Sequence, residues 1–449
     1  MRKQRIALST THIIMLSFLG VILLGSILLA LPISAADGKG VSYTDALFTA
    51  TTATCVTGLV TLPTVTTWSV FGQVVILILI QVGGLGVITV MSAFMVFLHR
   101  KMGLGDRFLI QDAFNLNSLS GLASFIKRVF WGTLLIEGIG AVLYMAVFIP
   151  EYGLKGIWIS VFNAVSAFCN AGIDIIAEDS LCRYVTHPMI NFVTCALIVA
   201  AGIGYIVWWD IIRVMKDRRM RRWKFLTLHS KIALSATAVL IVGGALLIFL
   251  FEYNNPQTIG DFSFWDKIQF SLFQSITTRT AGFATIPQEH LSNGSVIVSC
   301  LLMFIGGSPV GTAGGVKTVT IVVLFAAAFA AVRNKNETNL FHRRISPAVV
   351  RRSLAVVCMY TIIIFGSTLL LAGQTDASLP DLFYETISAT ATVGLTRGIT
   401  PILNTFGKLV ITAAMYLGRC GPISLAVAFN IRRVRPDVIK NPIEEISVG

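Results

Sequence analysis

Four short segments of the chain combine residue types and spacing that could bind a cation. Each has an aromatic residue, one or two turns rich in Ser, Thr and Ala, and then a glycine. They read FTATTATCVTGLVTLP from Phe48, FNAVSAFCNAGIDI from Phe162, FQSITTRTAGFATIP from Phe273 and YETISATATVGLTRG from Tyr384. A helix-packing face of small residues would explain one such segment. Four of them, with glycines 114, 110 and 112 residues apart, indicate an internal repeat.

The chemistry that these segments offer is that of backbone carbonyl groups. Glycine adopts φ values that other residues resist, so the carbonyls just before it can turn inward and replace the hydration shell of a cation. Carboxylates are few: Asp174 follows the second glycine by two residues, and Asp45 and Glu385 precede the first and fourth by 13 and nine. Calcium and proton pathways more often carry carboxylates at the constriction. The segments therefore favour a monovalent alkali cation.

The residues that end each pattern are the candidate selectivity filter, and we call these four stretches the glycine segments. The first is Thr54, Cys55, Val56, Thr57 and Gly58; the second is Cys169, Asn170, Ala171 and Gly172; the third is Arg279, Thr280, Ala281 and Gly282; the fourth is Ala391, Thr392, Val393 and Gly394. A monovalent alkali cation is expected at the four glycines. Arg279 is unusual in a cation filter, and we expect it to point away from the pore and brace its segment against a carboxylate or carbonyls.

A second candidate element is FIGGSPVGTAGGVK, residues 304–317. It places five glycines and a proline within ten residues of a long apolar segment, which is incompatible with a plain helix. The pattern predicts a flexible intramembrane loop at about 305–317, below the filter, and a kinked helix packed through its glycines is the alternative. The candidate functional residues of this loop are Gly306, Gly307, Ser308, Gly311, Thr312, Ala313, Gly314, Gly315 and Lys317.

The elements that must position these residues are membrane helices. Of the 449 residues, 55% are hydrophobic and 13% charged, whereas a soluble protein carries about 25% charged residues. Eight apolar segments, each long enough to span a bilayer, lie near 10–31, 70–98, 126–148, 189–212, 230–251, 294–332, 353–372 and 403–430. Taken two at a time from the N-terminus, these apolar segments form four pairs, and one glycine segment lies between the two members of each pair. We expect an all-α integral membrane protein with four helix–pore-helix–filter–helix repeats, arranged with pseudo-fourfold symmetry around one pore per protomer.

The charge distribution gives the expected topology. The repeats are expected at residues 1–105, 106–224, 225–344, which includes the gating loop, and 345–449, which includes a C-terminal tail. Twenty-six of the 35 Lys and Arg residues lie in 2–5, 100–128, 213–231, 333–352 and 432–440. This bias predicts that both termini and three internal loops are cytoplasmic. Topology thus explains the net charge of +13 without nucleic-acid binding.

The sequence offers nothing that an enzyme would need. It shows no arrangement of a nucleophile with a base, no phosphate-binding loop and no cysteine or histidine spacing suited to a metal. The seven cysteines are scattered, mostly within apolar segments, as small buried side chains. We expect a protein without enzymatic activity and without a covalent cofactor.

Several longer motifs carry a resemblance to a known family. They are ATTATCVTGL (50–59), QVGGLG (81–86) in the second helix, AFCNAG (167–172), TTRTAGF (277–283), FIGGSPVGTAGGVK (304–317), SATATVGLT (388–396) and YLGRCGP (416–422). In this order, over essentially the whole chain, they resemble the Trk/Ktr/HKT superfamily of potassium and sodium transporters. The resemblance is closest to the KtrB/KtrD type of membrane subunit in bacterial Ktr systems.

The resemblance implies potassium uptake across the plasma membrane, with the four glycines as selectivity determinants. A glycine at position 58 looks like the potassium-preferring version of the first filter. The loop at 305–317 would be the gate, in which Pro309 departs from the usual Ser and Ala, and Arg419 would raise the barrier to cations beside it. An intramembrane arginine is itself a functional hypothesis, with snorkelling toward the cytoplasm as the alternative.

The resemblance also implies partners. It implies a homodimer in the lipid bilayer and a cytosolic ring of RCK-type, KtrA/KtrC-like subunits that binds nucleotides, with sodium as a possible activator. The basic regions 213–231 and 333–352 and the C-terminal tail are candidate contacts. A secondary transporter of another cation or of a small organic solute is the competing hypothesis, although such folds usually show two repeats rather than four. Glu137 is expected to pair within the helix bundle, and Lys317 has no assigned role.

Overall fold

The computed structural model describes residues 10–97, 103, 121–216 and 223–421. The expected repeat boundary at 105/106, the basic group 2–5, part of the other basic groups and the C-terminal tail from residue 422 lie outside these residues. Almost all of the regular structure in the described ranges is helical.

The helices follow one order around each glycine segment. Around the first they are α1 (Thr10–Ala30), α2 (Tyr43–Cys55), α3 (Val70–Leu85) and α4 (Val87–Phe97). Around the second they are α5 (Leu122–Tyr152), α6 (Lys155–Cys169), α7 (Pro188–Ile203) and α8 (Tyr205–Lys216). Around the third they are α9 (Leu228–Glu252), α10 (Phe264–Thr277), α11 (Asn293–Phe304) and α12 (Thr318–Val332). Around the fourth they are α13 (Pro347–Ala372), α14 (Leu379–Ala391) and α15 (Thr405–Cys420).

A small hairpin lies between α12 and α13. Its strands are β1 (Asn339–Leu340) and β2 (Arg343–Arg344), paired antiparallel with Asn339 opposite Arg344. The two residues of the turn, Phe341 and His342, both have positive φ, as a tight two-residue hairpin turn requires.

Four helices, α1, α5, α9 and α13, are long and apolar enough to cross a bilayer, and the number rises to six if two bent pairs each count as one span. These long helices expose apolar side chains: Leu24 is 62% exposed, Leu135 65%, Val239 69% and Leu369 76%. The short helices that follow them are the most buried elements, although they are rich in Ser and Thr. Apolar side chains outside and hydroxyls inside are the distribution expected of a protein surrounded by lipid.

Reciprocal caps fix the start of three of the short helices. Ser42, Ser263 and Ser378 each accept a hydrogen bond from the backbone N–H three residues later, and each donates its hydroxyl to the carboxylate of that same residue. The partners are Asp45, Asp266 and Asp381, at oxygen–oxygen distances of 2.7, 2.7 and 2.6 Å. An acidic residue in the first turn also complements the positive end of the helix dipole. Helix α6 begins without a side-chain cap, after Gly153.

Two of the apolar segments expected as single spans are broken at a glycine. Between α3 and α4 the chain bends by 94° at Gly86, and between α7 and α8 it bends by 92° at Gly204. Both glycines have positive φ, +85° and +95°, which side chains rarely adopt. The spans over 70–98 and 189–212 are therefore bent rather than straight. The first five residues of the QVGGLG motif end α3, and its last residue, Gly86, is the bend.

The helices after the glycine segments pack against the short helices. Helix α3 packs against α2 and α6, α7 against α6 and α10, α11 against α14, and α15 against α14 and α2. An ion pair of 2.6 Å between Lys408 of α15 and Asp45 of α2 joins the last of these helices to the first short helix.

The close approach of α3 to α2 depends on Gly83. A Cβ atom at Gly83 would overlap the backbone carbonyl of Thr54, which cannot move aside as a flexible side chain could. We expect Gly83→Ala to destabilise the protein by about 1–3 kcal/mol, the usual cost of overpacking. Thermal unfolding in detergent measures this change. The control is Gly20→Ala on α1, where a Cβ has nothing within 4 Å; equal melting temperatures for the two variants would contradict the packing argument.

Candidate functional site

The four glycine segments share one backbone conformation. The residue two positions before each glycine lies in the left-handed region, with φ of 56° at Val56, 59° at Asn170, 73° at Thr280 and 53° at Thr392. Each of the four glycines also has positive φ. Helices α2, α6 and α14 end three residues before their glycine. Helix α10 ends at Thr277, five residues before Gly282. Four separate sequences therefore make the same sharp reversal, which is costly for β-branched residues such as Val56.

Hydrogen bonds to the preceding helix set the direction of the first peptide in each reversal. The donors are the N–H groups just before each glycine: Thr57 to the Thr52 carbonyl at 2.8 Å, Ala171 to Ser166 at 2.8 Å, Ala281 to Thr277 at 2.9 Å and Val393 to Ser388 at 2.8 Å. The N–H and C=O of a trans peptide point in opposite directions. The carbonyls of the left-handed residues must therefore point away from the short helices.

Hydroxyl groups fix the next peptide in the same way. The N–H of Gly58 donates to Thr52 Oγ1 at 2.9 Å, and that of Gly394 donates to Ser388 Oγ at 3.1 Å. In the third segment the Gly282 N–H donates to the Thr277 carbonyl at 3.4 Å. The carbonyls preceding these glycines are thereby turned away from their helices too. Among the described residues no donor contacts any carbonyl of these segments from the left-handed residue to the glycine.

The glycines themselves close the ring. A Cβ on Gly58 would meet the carbonyl of Ala171, one on Gly172 that of Ala281, one on Gly282 that of Val393, and one on Gly394 that of Thr57. All four contacts would be shorter than 3.0 Å, a separation that real Cβ atoms do not show. Each segment thus rests against the next in chain order, and the fourth rests against the first. Only glycine lets the four segments approach one another this closely.

A cavity lies on each side of this ring. The outer one, of about 270 Å³, is lined by all four glycines and carries four acidic residues, Asp174, Glu178, Asp179 and Glu289. Acidic side chains in a cleft raise the local concentration of cations. The inner one, of about 260 Å³, is lined by the glycine bends at 84–86 and 418–421 and by the loop residues Val310, Gly311, Ala313, Gly314 and Lys317.

Residues 305–317 form a non-helical loop between α11 and α12, directly below the ring. Thr312 donates its hydroxyl to the Phe168 carbonyl at the end of α6, at 3.2 Å. The N–H of Gly314 donates to Thr280 Oγ1 at 3.2 Å, and the same residue packs against the Thr392 hydroxyl. On its other flank the loop joins the Gly204 bend, where Tyr205 N–H donates to the Val310 carbonyl at 2.9 Å. The loop therefore touches the inner ends of the second, third and fourth segments.

Two basic side chains hold the loop. Arg419 donates from Nη1 to the Thr312 carbonyl at 2.7 Å and from Nη2 to the Gly83 carbonyl at 2.6 Å. Lys317 Nζ donates to the Ala313 carbonyl at 2.5 Å. Both residues line the inner cavity, and none of the described residues that line it is acidic. The cavity is therefore electropositive, and Arg419 binds backbone carbonyls inside the protein.

Arg279 and Glu137 are two further buried charged residues near the ring. Arg279, 6% exposed, reaches Thr237 Oγ1 of α9 and the Gly306 carbonyl, both at 3.4 Å, so its guanidinium braces the third segment against the start of the loop. Glu137 of α5 accepts from Gln81 Nε2 at 3.2 Å and from Cys169 Sγ at 3.8 Å. It therefore joins α3, α5 and α6 rather than facing the ring.

Sequence reasoning missed the hydroxyl residues that orient the peptides. Thr52, Ser166 and Ser388 each stand six residues before their glycine, and all three are fully buried. A hydroxyl at this fixed spacing was visible in the sequence as a signal. In the third segment that position is Ile276, and Thr277 takes over the role through its backbone carbonyl.

Comparisons with known proteins place this geometry in a family. The TrkH family model, described as a cation transport protein, matches residues 2–437. The Ktr system potassium uptake protein B of Bacillus subtilis (strain 168) is 38% identical over 439 residues, which cover 98% of this chain and 96% of that protein. The potassium/sodium uptake protein NtpJ of Enterococcus hirae is 38% identical over 456 residues, covering 100% and 99%. Among solved structures, the potassium transporter TrkH from Vibrio parahaemolyticus matches with a TM-score of 0.74, 18% identity and coverage of 95% and 86%.

The two hydrogen bonds of Arg419 predict how the loop is held. Arg419→Gln removes the charged tether between Thr312 and Gly83, and hydrogen bonds from a charged group contribute about 1.5–3 kcal/mol. We expect the amides of Ser308, Gly314 and Thr318 to exchange hydrogen about tenfold faster or more. Arg397→Gln is the control, because Arg397 binds Asp381 and the Gln288 carbonyl on the outer side. Unchanged exchange of the loop amides in the Arg419 variant would show that the tether does not hold the loop.

Proposed function

This chain belongs to the TrkH family of cation transport proteins, and we infer that it takes up potassium across the plasma membrane as the ion-translocating subunit of a Ktr-type system. The relatives with 38% identity over their full length are named for uptake of potassium, or of potassium and sodium. The observation that carries the inference is the ring of inward carbonyls, because it supplies neutral oxygen ligands without carboxylates.

Selectivity is proposed to come from the glycine segments. Two carbonyls from each segment, those of the left-handed residue and of the residue before the glycine, replace the hydration shell of a potassium ion. Seven of these eight carbonyls are fixed before the ion arrives, because the N–H groups on their opposite sides are bonded to the short helices. The short helices also direct the negative ends of their dipoles toward the axis. The outer carboxylates concentrate cations at the entrance.

Gating is proposed to come from the loop at 305–317 together with Arg419 and Lys317. In the present conformation the loop lies against three glycine segments, and two positive charges stand in the cavity through which a cation would leave. Withdrawal of the loop would open this path. The potassium gradient and the membrane potential supply the driving force, so no enzymatic step is required.

The complete architecture is proposed to contain eight transmembrane helices in four repeats around one pore. The described helices account for four long spans and two bent ones. The remaining two would be α11 with α12, which the loop interrupts, and the segment that begins with α15. In this arrangement both termini and the basic regions 213–231 and 333–352 face the cytoplasm.

The partners are proposed by analogy with the relatives. The word "system" in the name of one relative implies further components. We propose a homodimer with one pore in each protomer, resting on a cytosolic RCK-type ring that binds nucleotides. The basic residues around β1 and β2, such as Arg343 and Arg344, are exposed and available for contact. Sodium is proposed as an activator, and NtpJ is named for both ions.

Rubidium uptake in cells lacking other potassium uptake systems tests the function. Gly58→Ser places a Cβ against the Ala171 carbonyl at a residue with φ of +100°. Such backbone strain costs about 1–3 kcal/mol, so the preference for potassium over sodium should fall by about tenfold or more. Gly38→Ser is the matched control, because its φ is +69° but nothing lies within 4 Å of a Cβ there. If no alkali-cation flux is seen with or without the cytosolic RCK-type subunit, although the protein is in the membrane, the result would favour a carrier of organic solutes.

The charge of Arg419 yields a separate prediction. A unit charge about 10 Å from the path costs a cation about 1–2 kcal/mol at an effective dielectric constant of about 20. Arg419→Gln should therefore raise the maximal rate of rubidium uptake by about tenfold. Arg419→Lys keeps the charge but cannot donate to both carbonyls with the geometry of a guanidinium. If the charge forms the barrier, this variant should stay close to the wild-type rate. Equal acceleration by both variants would instead assign the barrier to the tether.

A further inference from the structure

We propose that a second monovalent-cation site lies at the inner mouth of the ring, formed by the side-chain oxygens of Asn170, Thr280 and Thr392. These residues hold the same position, two before the glycine, in the second, third and fourth segments. The proposal rests on the proposed function, since a cation must pass the ring to reach it. It adds side-chain ligands from three segments to the backbone carbonyls above.

The first observation is that two of these side chains are buried without a partner. Asn170 is 1% exposed, yet neither its amide oxygen nor its amide nitrogen has a hydrogen-bond partner among the described residues. The Thr392 hydroxyl is fully buried and also lacks a partner in that part of the chain. Buried polar groups normally find partners, and exceptions need an explanation such as an ion or a water. Asn170 also has an intrinsic reason to stand here, because Asn tolerates the left-handed conformation.

The second observation is the position of Gly314. Its N–H donates to Thr280 Oγ1 at 3.2 Å, and a Cβ on it would overlap Thr392 Oγ1. Hydroxyl groups from two neighbouring segments thus lie against one residue of the loop, and the N–H of that residue is bonded to one of them. The N–H carries a partial positive charge, and beside Thr280 Oγ1 it occupies space that a cation bound to this oxygen would need. Any side chain on residue 314 would prevent this fit.

The ligand chemistry follows from the donor set. Hydroxyl and amide oxygens are neutral, and none of the three residues is acidic, so the site suits an alkali cation rather than a divalent one. Occupation by the cation and by the Gly314 amide exclude each other. A cation at the inner mouth therefore competes with closure of the loop, and withdrawal of the loop completes the site.

The first segment provides an internal comparison. Val56 holds the equivalent position with the same left-handed backbone, but it has no oxygen. Valine and threonine have nearly the same shape, so exchanging them moves one ligand oxygen with little change in packing. Thr392→Val removes an oxygen from the site, and Val56→Thr adds an oxygen from the first glycine segment.

The experiment is the concentration dependence of rubidium uptake, with KM and maximal rate measured separately. Thr392→Val should raise KM by about tenfold, as expected for losing one oxygen contact to a charged ligand. Val56→Thr should lower KM, and the double variant should return close to the wild-type value. Thr392→Ser keeps the oxygen and should also stay near wild type.

The matched control is Thr390→Val, on the same helix. Thr390 is equally buried and its hydroxyl likewise has no described partner, but its backbone packs against Gly418 of α15. Equal shifts in KM for Thr390→Val and Thr392→Val, or an unchanged KM in both exchange variants, would overturn the inner site. Absence of rubidium uptake by the wild-type protein would instead overturn the proposed function, so the two failures can be told apart.

Discussion

The structure depends on one constraint: backbone carbonyls without hydrogen-bond donors must be held inward, at the depth of a membrane. An unpaired carbonyl in an apolar environment is costly, and irregular backbone there is tolerated only where it is enclosed by protein or lines a wet cavity. The glycine segments meet this condition because seven of the eight N–H groups of the glycines and the residues before them bond outward to the short helices. The short helices, with their buried hydroxyls and their capped outer ends, are the supports that this requires.

Close approach of backbone to backbone is the second consequence. The four ring glycines permit contact between neighbouring segments, while Gly83 and Gly418 let α3 and α15 approach the carbonyls of Thr54 and Thr390. Positions 83 and 418 are related in the first and fourth quarters, which shows that the repeat extends to the packing of helices. Dense packing of this kind fixes the ring diameter, because it leaves no room for a segment to relax outward.

The sequence predicted the ring better than it predicted the helices around it. Four glycines at one period, and five glycines with Pro309 in one apolar segment, mark irregular backbone by composition alone. The two or three glycines around Gly86 and Gly204, each within an apolar run, are equally typical of helix packing and do not predict a bend. The bend at Gly204 is stabilised by a tertiary bond, from Tyr205 N–H to the Val310 carbonyl, between residues more than 100 positions apart. No local pattern encodes such a partner. The Ser-x-x-Asp caps can be recognised in the sequence, but this pattern is common at the start of helices and does not indicate a functional site.

The loop enters from the third quarter alone, which raises the question of how it could close a path bounded by four. Its own residues reach the second, third and fourth segments, through Thr312 and Gly314. The first quarter is reached by another element. Arg419 comes from α15 in the fourth quarter and binds the loop carbonyl of Thr312 with one nitrogen and the Gly83 carbonyl with the other. Gly83 in turn rests on the Thr54 carbonyl of the first segment. A planar guanidinium with several fixed donors can join two carbonyls in this way, which a lysine cannot do with the same geometry. Arg419 is therefore the connection that lets a loop from one quarter be held against all four.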